Sequence, residues 1–177
     1  EIDVASDTTL IIGKNNAGKT TIITALDNLI NHSNAFGAND FNYRYLQEYL
    51  NDYDVNNPLA SAPYIEFKIT IELEEDSSDR ISNLIPFMLV EDIEDSELDI
   101  CIRYEVVDLV FFQSEMKESF LEGKDKNAFA KFLNLLQNTD YTLNYYDKNL
   151  NRIDADFKLS NLMELQCIKP ESVKFIF

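Results

Sequence analysis

Gly13-Lys14-Asn15-Asn16-Ala17-Gly18-Lys19-Thr20 sets two glycines, a lysine and a hydroxyl at the spacing GxxxxGK[ST]. Each position has its own task against a polyphosphate. Gly13 permits a sharp exit from a strand, and Gly18 lets the backbone approach phosphate oxygens where a Cβ would intrude. The amides of Asn16 to Thr21 then point inward as a nest at the positive end of a helix dipole. Lys19 can reach the β- and γ-phosphates as a mobile point charge, and the Thr20 hydroxyl can ligate Mg²⁺. Thr21 adds a hydroxyl or amide near the α-phosphate. The expected binding set for ATP and Mg²⁺ is therefore Gly13, Lys14, Asn15, Asn16, Ala17, Gly18, Lys19, Thr20 and Thr21. Lys19 is its catalytic member and Thr20 its metal ligand.

Such a loop works only between a strand and a helix, and the flanking residues meet that condition. Thr8-Thr9-Leu10-Ile11-Ile12 is a short apolar run ended by Gly13, the pattern of a strand buried on both faces. From Gly18 the period changes: Ile22, Ile23, Ala25, Leu26, Leu29 and Ile30 predict one helical face, stopping near Asn31-His32-Ser33. Further on, Leu46, Tyr49, Leu50 and Tyr53 predict a short helix, and Asn56 to Pro63 a connector. Ile65, Phe67, Ile69, Ile71 and Leu73 alternate with polar residues, as do Leu98, Ile100, Ile102, Tyr104 and Val106; both read as strands with one wet face. Ile81 to Leu89 reads as a helix interrupted by Pro86, and Lys126 to Gln137 as a helix carrying Phe129, Phe132, Leu133 and Leu136. Tyr141 to Tyr146, a turn at Asp147-Lys148-Asn149 and short strands to Phe177 complete the chain. The reading is α/β at the start, in a strand–loop–helix unit over 8–32, and α+β with antiparallel strands and helices over 62–177.

The run Thr9 to Leu26 resembles the opening of the ABC-related ATPases that include RecF, the SMC proteins and the overcoming-lysogenisation-defect (OLD) family of ATP-dependent nucleases. Asn15 to Lys19, Asn-Asn-Ala-Gly-Lys, carries the OLD likeness; ABC transporters usually have Gly where this chain has Asn16. The resemblance implies a P-loop NTPase of ABC/SMC-head type with an antiparallel β-rich subdomain, here the N-terminal part of an incomplete domain. It implies a homo-oligomer, a head-to-head dimer or higher. It also implies ATP hydrolysis that controls a DNA-directed or anti-phage effector, with any nuclease module outside these residues. Two other readings stand beside it: a nucleotide-sensing module that holds or releases a partner effector protein, and an SMC- or RecF-like repair ATPase.

The family's remaining catalytic elements are hard to find. The nearest string to a Walker B strand is Tyr104 to Asp108, broken by Glu105, so Asp108 reads as a sheet carboxylate. Gln113 reads as an exposed strand-end glutamine rather than a Q-loop residue, and no LSGG-like signature occurs.

Composition narrows the field. Of 177 residues, 45% are hydrophobic, too many for a disordered tail. Asp and Glu outnumber Lys and Arg 32 to 15, a formal charge of −17. Such a surface repels nucleic-acid backbones, so DNA is expected only at other parts of a longer protein. Cys101 and Cys167 give neither a disulfide framework nor a zinc spacing, which fits a cytoplasmic protein. No apolar run reaches 18 residues, so no membrane helix is expected. Glu1 to Val4 has no signal-peptide character, and a start on Glu suggests a trimmed chain.

Other chemistry-bearing residues read more simply. The acidic stretch from Glu72 to Asp99 reads as a solvated face before a metal cluster or a site for a basic partner. His32, the single histidine, sits at a helix C-terminus, where a cation is favoured. Asp40 reads as the cap of the helix that follows it. The tyrosines of 43–53 and 141–146 read as core or interface aromatics rather than base-stacking platforms, because Arg44 is the single basic residue interleaved with them.

Phosphoryl transfer needs an oriented water and charge neutralisation around the γ-phosphate, and these residues offer only the cradle. Each missing group of this kind typically removes ~10²–10³ in rate. The isolated 177-residue segment should therefore release phosphate from ATP near background. Turnover above about 1 s⁻¹ in a phosphate-release assay would contradict this and make Asp108 and Gln113 the first suspects.

Overall fold

A computed structural model of the chain describes residues 2–3, 19–31, 36–72, 85–88, 97–153 and 173–176. The expected strand Thr8–Ile12, the loop Gly13–Gly18, His32, most of the acidic stretch and Cys167 lie outside these residues. The described elements are β1 (Ile2–Asp3), α1 (Lys19–Asn31), α2 (Tyr43–Asp52), β2 (Ile65–Glu72), β3 (Glu97–Val106), α3 (Leu109–Ser119), α4 (Ala128–Gln137), β4 (Tyr141–Tyr146) and β5 (Val173–Ile176). The strands form one sheet in the order β1-β5-β2-β3-β4. β5 runs antiparallel to both neighbours, with Phe175 opposite Ile2 on one side and Ile69 on the other.

The chain divides into two compact units, Glu1–Ala35 with Glu66–Ile102 and Asn144–Phe177, and Phe36–Ile65 with Arg103–Leu143. In the first, the expected alternation of β2 holds: Phe67, Ile69 and Ile71 are buried and Lys68 is exposed. On β3, Leu98, Ile100 and Ile102 are buried, again as expected. Cys101 departs from the pattern. It is buried too, on the face expected to be wet, beside a cavity of about 210 Å³ that Thr70, Asp99 and Asp147 also line. On that face the Thr70 hydroxyl donates to Asp99 Oδ1 at 2.6 Å. Of the helix expected at Ile81–Leu89, the described part is a short 3₁₀ turn, Ile85–Phe87, whose Phe87 meets Tyr145 edge-on at 6.4 Å.

The turn after β4 falls at Asp147-Lys148-Asn149, as expected. Asp147 is buried, which by itself raises a carboxyl pKa. Three hydrogen bonds outweigh that penalty and hold it below the usual carboxylate range: the Asn149 and Asn151 amides donate at 2.9 and 2.8 Å, and Asn151 Nδ2 donates at 2.8 Å. Leu150 completes the turn at φ 60°, a conformation that costs most side chains about 1 kcal/mol.

The second unit is an aromatic core. Leu46, Tyr49 and Leu50 line the inner face of α2 as the spacing predicts, and Phe132 and Leu136 do so on α4. Tyr49 stacks on Phe132 at 5.7 Å with the rings 2° apart, and its hydroxyl donates to the Ser61 carbonyl at 3.0 Å. Tyr104 stacks on Tyr141 at 5.0 Å and donates to the Phe36 carbonyl at 2.7 Å. Arg103 covers the Tyr64 ring at 4.8 Å, a cation–π contact. The tyrosines are thus mostly core, in agreement with the sequence reading.

Burial pushes the Tyr49 and Tyr141 phenols well above their ordinary pKa. The Tyr141 hydroxyl is buried without a hydrogen-bond partner. A buried hydroxyl left unpaired costs roughly 1–3 kcal/mol, so Tyr141→Phe should keep the ring packing and raise stability by about 1 kcal/mol. Denaturant unfolding checks this; a loss of similar size would mean that the hydroxyl is hydrogen-bonded in solution.

Candidate functional site

α1 begins at Lys19, directly after Gly18, and runs for 13 residues to Asn31, close to the expected stop. Its first turn contains Lys19, Thr20 and Thr21 and no acidic residue, although Asp and Glu are the residues a helix dipole favours there. In a chain of charge −17, the first turn thus contributes no carboxylate of its own to the positive end of the helix. Thr20 and Thr21 are both exposed. A first turn with two exposed threonines and no carboxylate of its own is chemically compatible with a phosphate group and its magnesium ion.

The helix is anchored by its opposite end. Asn28 and Leu29 are buried, and Ile22, Ala25 and Leu26 are half-buried. Ile23, expected on the same face, is exposed. At 100° per residue it lies well off the stripe through Ile22, Ala25, Leu26 and Leu29. Of the expected binding set, Lys19, Thr20 and Thr21 therefore share one helical turn, and Gly13 to Gly18 lie outside the described residues.

The second unit corrects three sequence readings. Asp108 is not a sheet carboxylate: it is the N-cap of α3, and its Oδ1 accepts from the Phe111 amide at 2.9 Å. The run Val106-Val107-Asp108-Leu109-Val110-Phe111-Phe112 satisfies strand composition, but Leu109, Phe112, Met116 and Phe120 recur at helical spacing. That recurrence, behind a capping Asp, is the signal that reveals α3. Gln113 is accordingly a half-buried helix residue, not a strand-end one, and its Nε2 donates to the Leu59 carbonyl at 2.9 Å. Its amide fastens a connector.

Asp40 is the third correction. A short 3₁₀ turn, Ala38–Asp40, intervenes before α2, and the Asp40 carboxylate reaches back to accept from the Gly37 amide at 2.8 Å. Asn42 caps α2 instead, accepting from the Arg44 and Tyr45 amides at 2.9 and 3.3 Å. Among the described residues no group of three or more His, Cys, Asp or Glu could hold a metal ion, and no helix is long and apolar enough to cross a membrane.

A loop–helix unit of this composition invites comparison with known ATPases. Residues 1–171 match the family model described as AAA ATPase domain. The chain belongs to that family. It is also 40% identical over 185 residues to Endonuclease GajA of Bacillus cereus (strain HuB5-5), an alignment that takes in 98% of this chain. The chain spans 27% of that relative's length. No solved structure matches it. Membership in an AAA ATPase family establishes the ATPase class expected from Gly13–Thr20, and the kinship with an endonuclease agrees with the likeness read from Asn15 to Lys19.

The cap at Asp108 gives a test that separates structure from chemistry. Asp108→Ala should lower stability by about 0.5–2 kcal/mol, the scale of a lost N-cap, and leave nucleotide affinity unchanged. Denaturant unfolding beside a nucleotide titration reads both; a selective loss of Mg²⁺-dependent binding at constant stability would restore a metal role.

Proposed function

We propose that this chain is the nucleotide-binding N-terminal portion of an OLD-like ATPase of ABC/SMC-head type. The observation that carries the reading is GxxxxGK[ST], Gly13 to Thr20, leading into a helix whose first turn holds no carboxylate, within an AAA ATPase domain. Backbone amides from Asn16 to Thr21, with Lys14 and Asn15 in the loop, form the phosphate cradle. Lys19 sets its ammonium against the β- and γ-phosphates. Thr20 offers a hydroxyl ligand to Mg²⁺, which when bound neutralises charge on the phosphoryl oxygens. Thr21 contacts the α-phosphate side.

The groups that orient water lie in the rest of the protein, or in a second copy brought head to head by bound ATP. The relative is an endonuclease; by extension, nucleotide state in the whole protein here governs a DNA-directed effector in anti-phage defence. DNA then meets other parts of the protein, because the charge of −17 disfavours it at these residues.

Lys19→Ala is the direct test. Removing one member of a desolvated charge pair should weaken ATP binding by roughly 2–4 kcal/mol with the circular-dichroism spectrum unchanged, because Ala is at least as good a helix former as Lys at the first position of α1. Unchanged affinity in a calorimetric titration of the folded variant would refute the phosphate-cradle assignment.

A further inference from the structure

Three polar or charged side chains are buried among the described residues: Asn28, Asn144 and Asp147. Asn28 alone of them lies on a helix, and that helix is α1, which opens on Lys19, Thr20 and Thr21. It is 8% exposed and stands next to the fully buried Leu29. Asn is a poorer helix former than Leu, and a buried amide carries a desolvation penalty that an aliphatic side chain does not. A helix tolerates such a residue where its amide is hydrogen-bonded, and Asn28 is not without a partner.

What an amide adds is direction. Ile22, Ala25 and Leu26 are only half-buried, and apolar contact is non-directional, so this stripe sets the rotation of α1 loosely. Hydrogen bonds hold to a narrow range of distance and angle. At about 100° per residue, Asn28 falls about 60° beyond Ala25, at the border of the buried face, and within about 20° of Thr21 two turns earlier. A single polar group beside an apolar seam is also what fixes register in coiled coils, at a cost in stability.

We propose that Asn28 is a positioning residue for the nucleotide: its amide fixes the rotation of α1 about its own axis, and through it the placement of the first turn with Thr20 and Thr21. The proposal rests on the phosphate-cradle reading. Asn28 lies about 12 Å along the axis from Thr20, too far to touch a phosphate held there. A helix with its side chains is ~10–12 Å across, so a turn of about 20° carries a side-chain tip roughly 2 Å. Displacements of ~1 Å can already lower a rate ~10²-fold. Thr20 is the most sensitive member, because Mg²⁺ demands near-ideal octahedral geometry at ~2.0–2.1 Å.

The test uses the full-length protein, titrated with ATP with and without Mg²⁺ at a temperature where every variant is folded. Asn28→Ala removes the amide and favours the helix; Asn28→Leu keeps bulk at the same position. Each should show the wild-type far-UV spectrum and bind ATP with Mg²⁺ at least ~10-fold more weakly, the scale for losing a group that orients a ligating one. Mg²⁺ should also strengthen ATP binding less in both variants than in the wild type. A loss of packing alone would not move that ratio. Asn28→Ala only removes atoms, so it guards against misfolding of the larger Leu variant.

Wild-type affinity in Asn28→Leu would overturn the proposal, since bulk would then suffice. So would a weakened affinity with the Mg²⁺ effect intact. Lys19→Ala, titrated alongside, separates the two readings. If it binds ATP as the wild type does, the phosphate cradle fails and the role of Asn28 fails with it. If it loses ATP while both Asn28 variants retain theirs, the cradle stands and only the role of Asn28 falls.

Discussion

The second unit depends on aromatic rings whose hydroxyls must find carbonyls. Tyr49 and Tyr104 each bury a large apolar ring and each carry a polar tip, so the packing is favourable only where a backbone oxygen waits. Tyr49 meets that demand at Ser61 and thereby holds the connector before β2; Tyr104 meets it at Phe36 and holds the segment that leads into α2. The rings stack on Phe132 and Tyr141, which fixes α4 and β4 in turn. Side-chain tips therefore place backbone segments that have no ladder of their own. Gln113 at Leu59 repeats the device with an amide donor, while Lys124 Nζ donates to the Asn51 carbonyl in the last turn of α2.

Electrostatics set the opposite kind of demand on α1. A protein with twice as many acids as bases can hold a polyphosphate only where fixed dipoles and one or two cations outweigh the general field. On the proposed reading, the first turn of α1 meets that need by omission: no carboxylate stands where helix preference would put one. Composition averaged over the chain argues against phosphate, while a single turn argues for it. Distance settles the conflict, because exposed charges beyond about 8–10 Å are screened at physiological salt.

Legibility in the sequence followed from how many templates each segment could satisfy. α2, α4, β2 and β4 were readable because their apolar residues fit one period and not the other. α3 was not, since Val106 to Phe112 fits a strand until Met116 and Phe120 are counted with it. Asp40 misled because it closes a three-residue turn of its own, with Phe41 and Asn42 between it and α2, and local capping chemistry does not announce which element it serves. Cys101 misled because alternation along β3 says nothing of what lies beside the second face. For the candidate site, type and spacing single out Gly13 to Thr21 for the proposed cradle, since the phosphate-binding requirement is local, and of these Lys19, Thr20 and Thr21 lie among the described residues. What acts from the second unit or from further along the polypeptide has no such local mark.

The division of the chain also bears on how it folds. The second unit is assembled from 36–65 and 103–143, and residues 66–102 of the first unit intervene. Tyr49 must therefore wait for Phe132, and Gln113 must find Leu59, across a loop that belongs to another core. Closing such a loop costs chain entropy before any contact rewards it, so topology predisposes this unit to form late. On the ribosome, 36–65 emerges well before the segment that completes its core, and its apolar face stays exposed meanwhile. A discontinuous unit of this kind cannot be removed by trimming either terminus, and neither half has a core without the other.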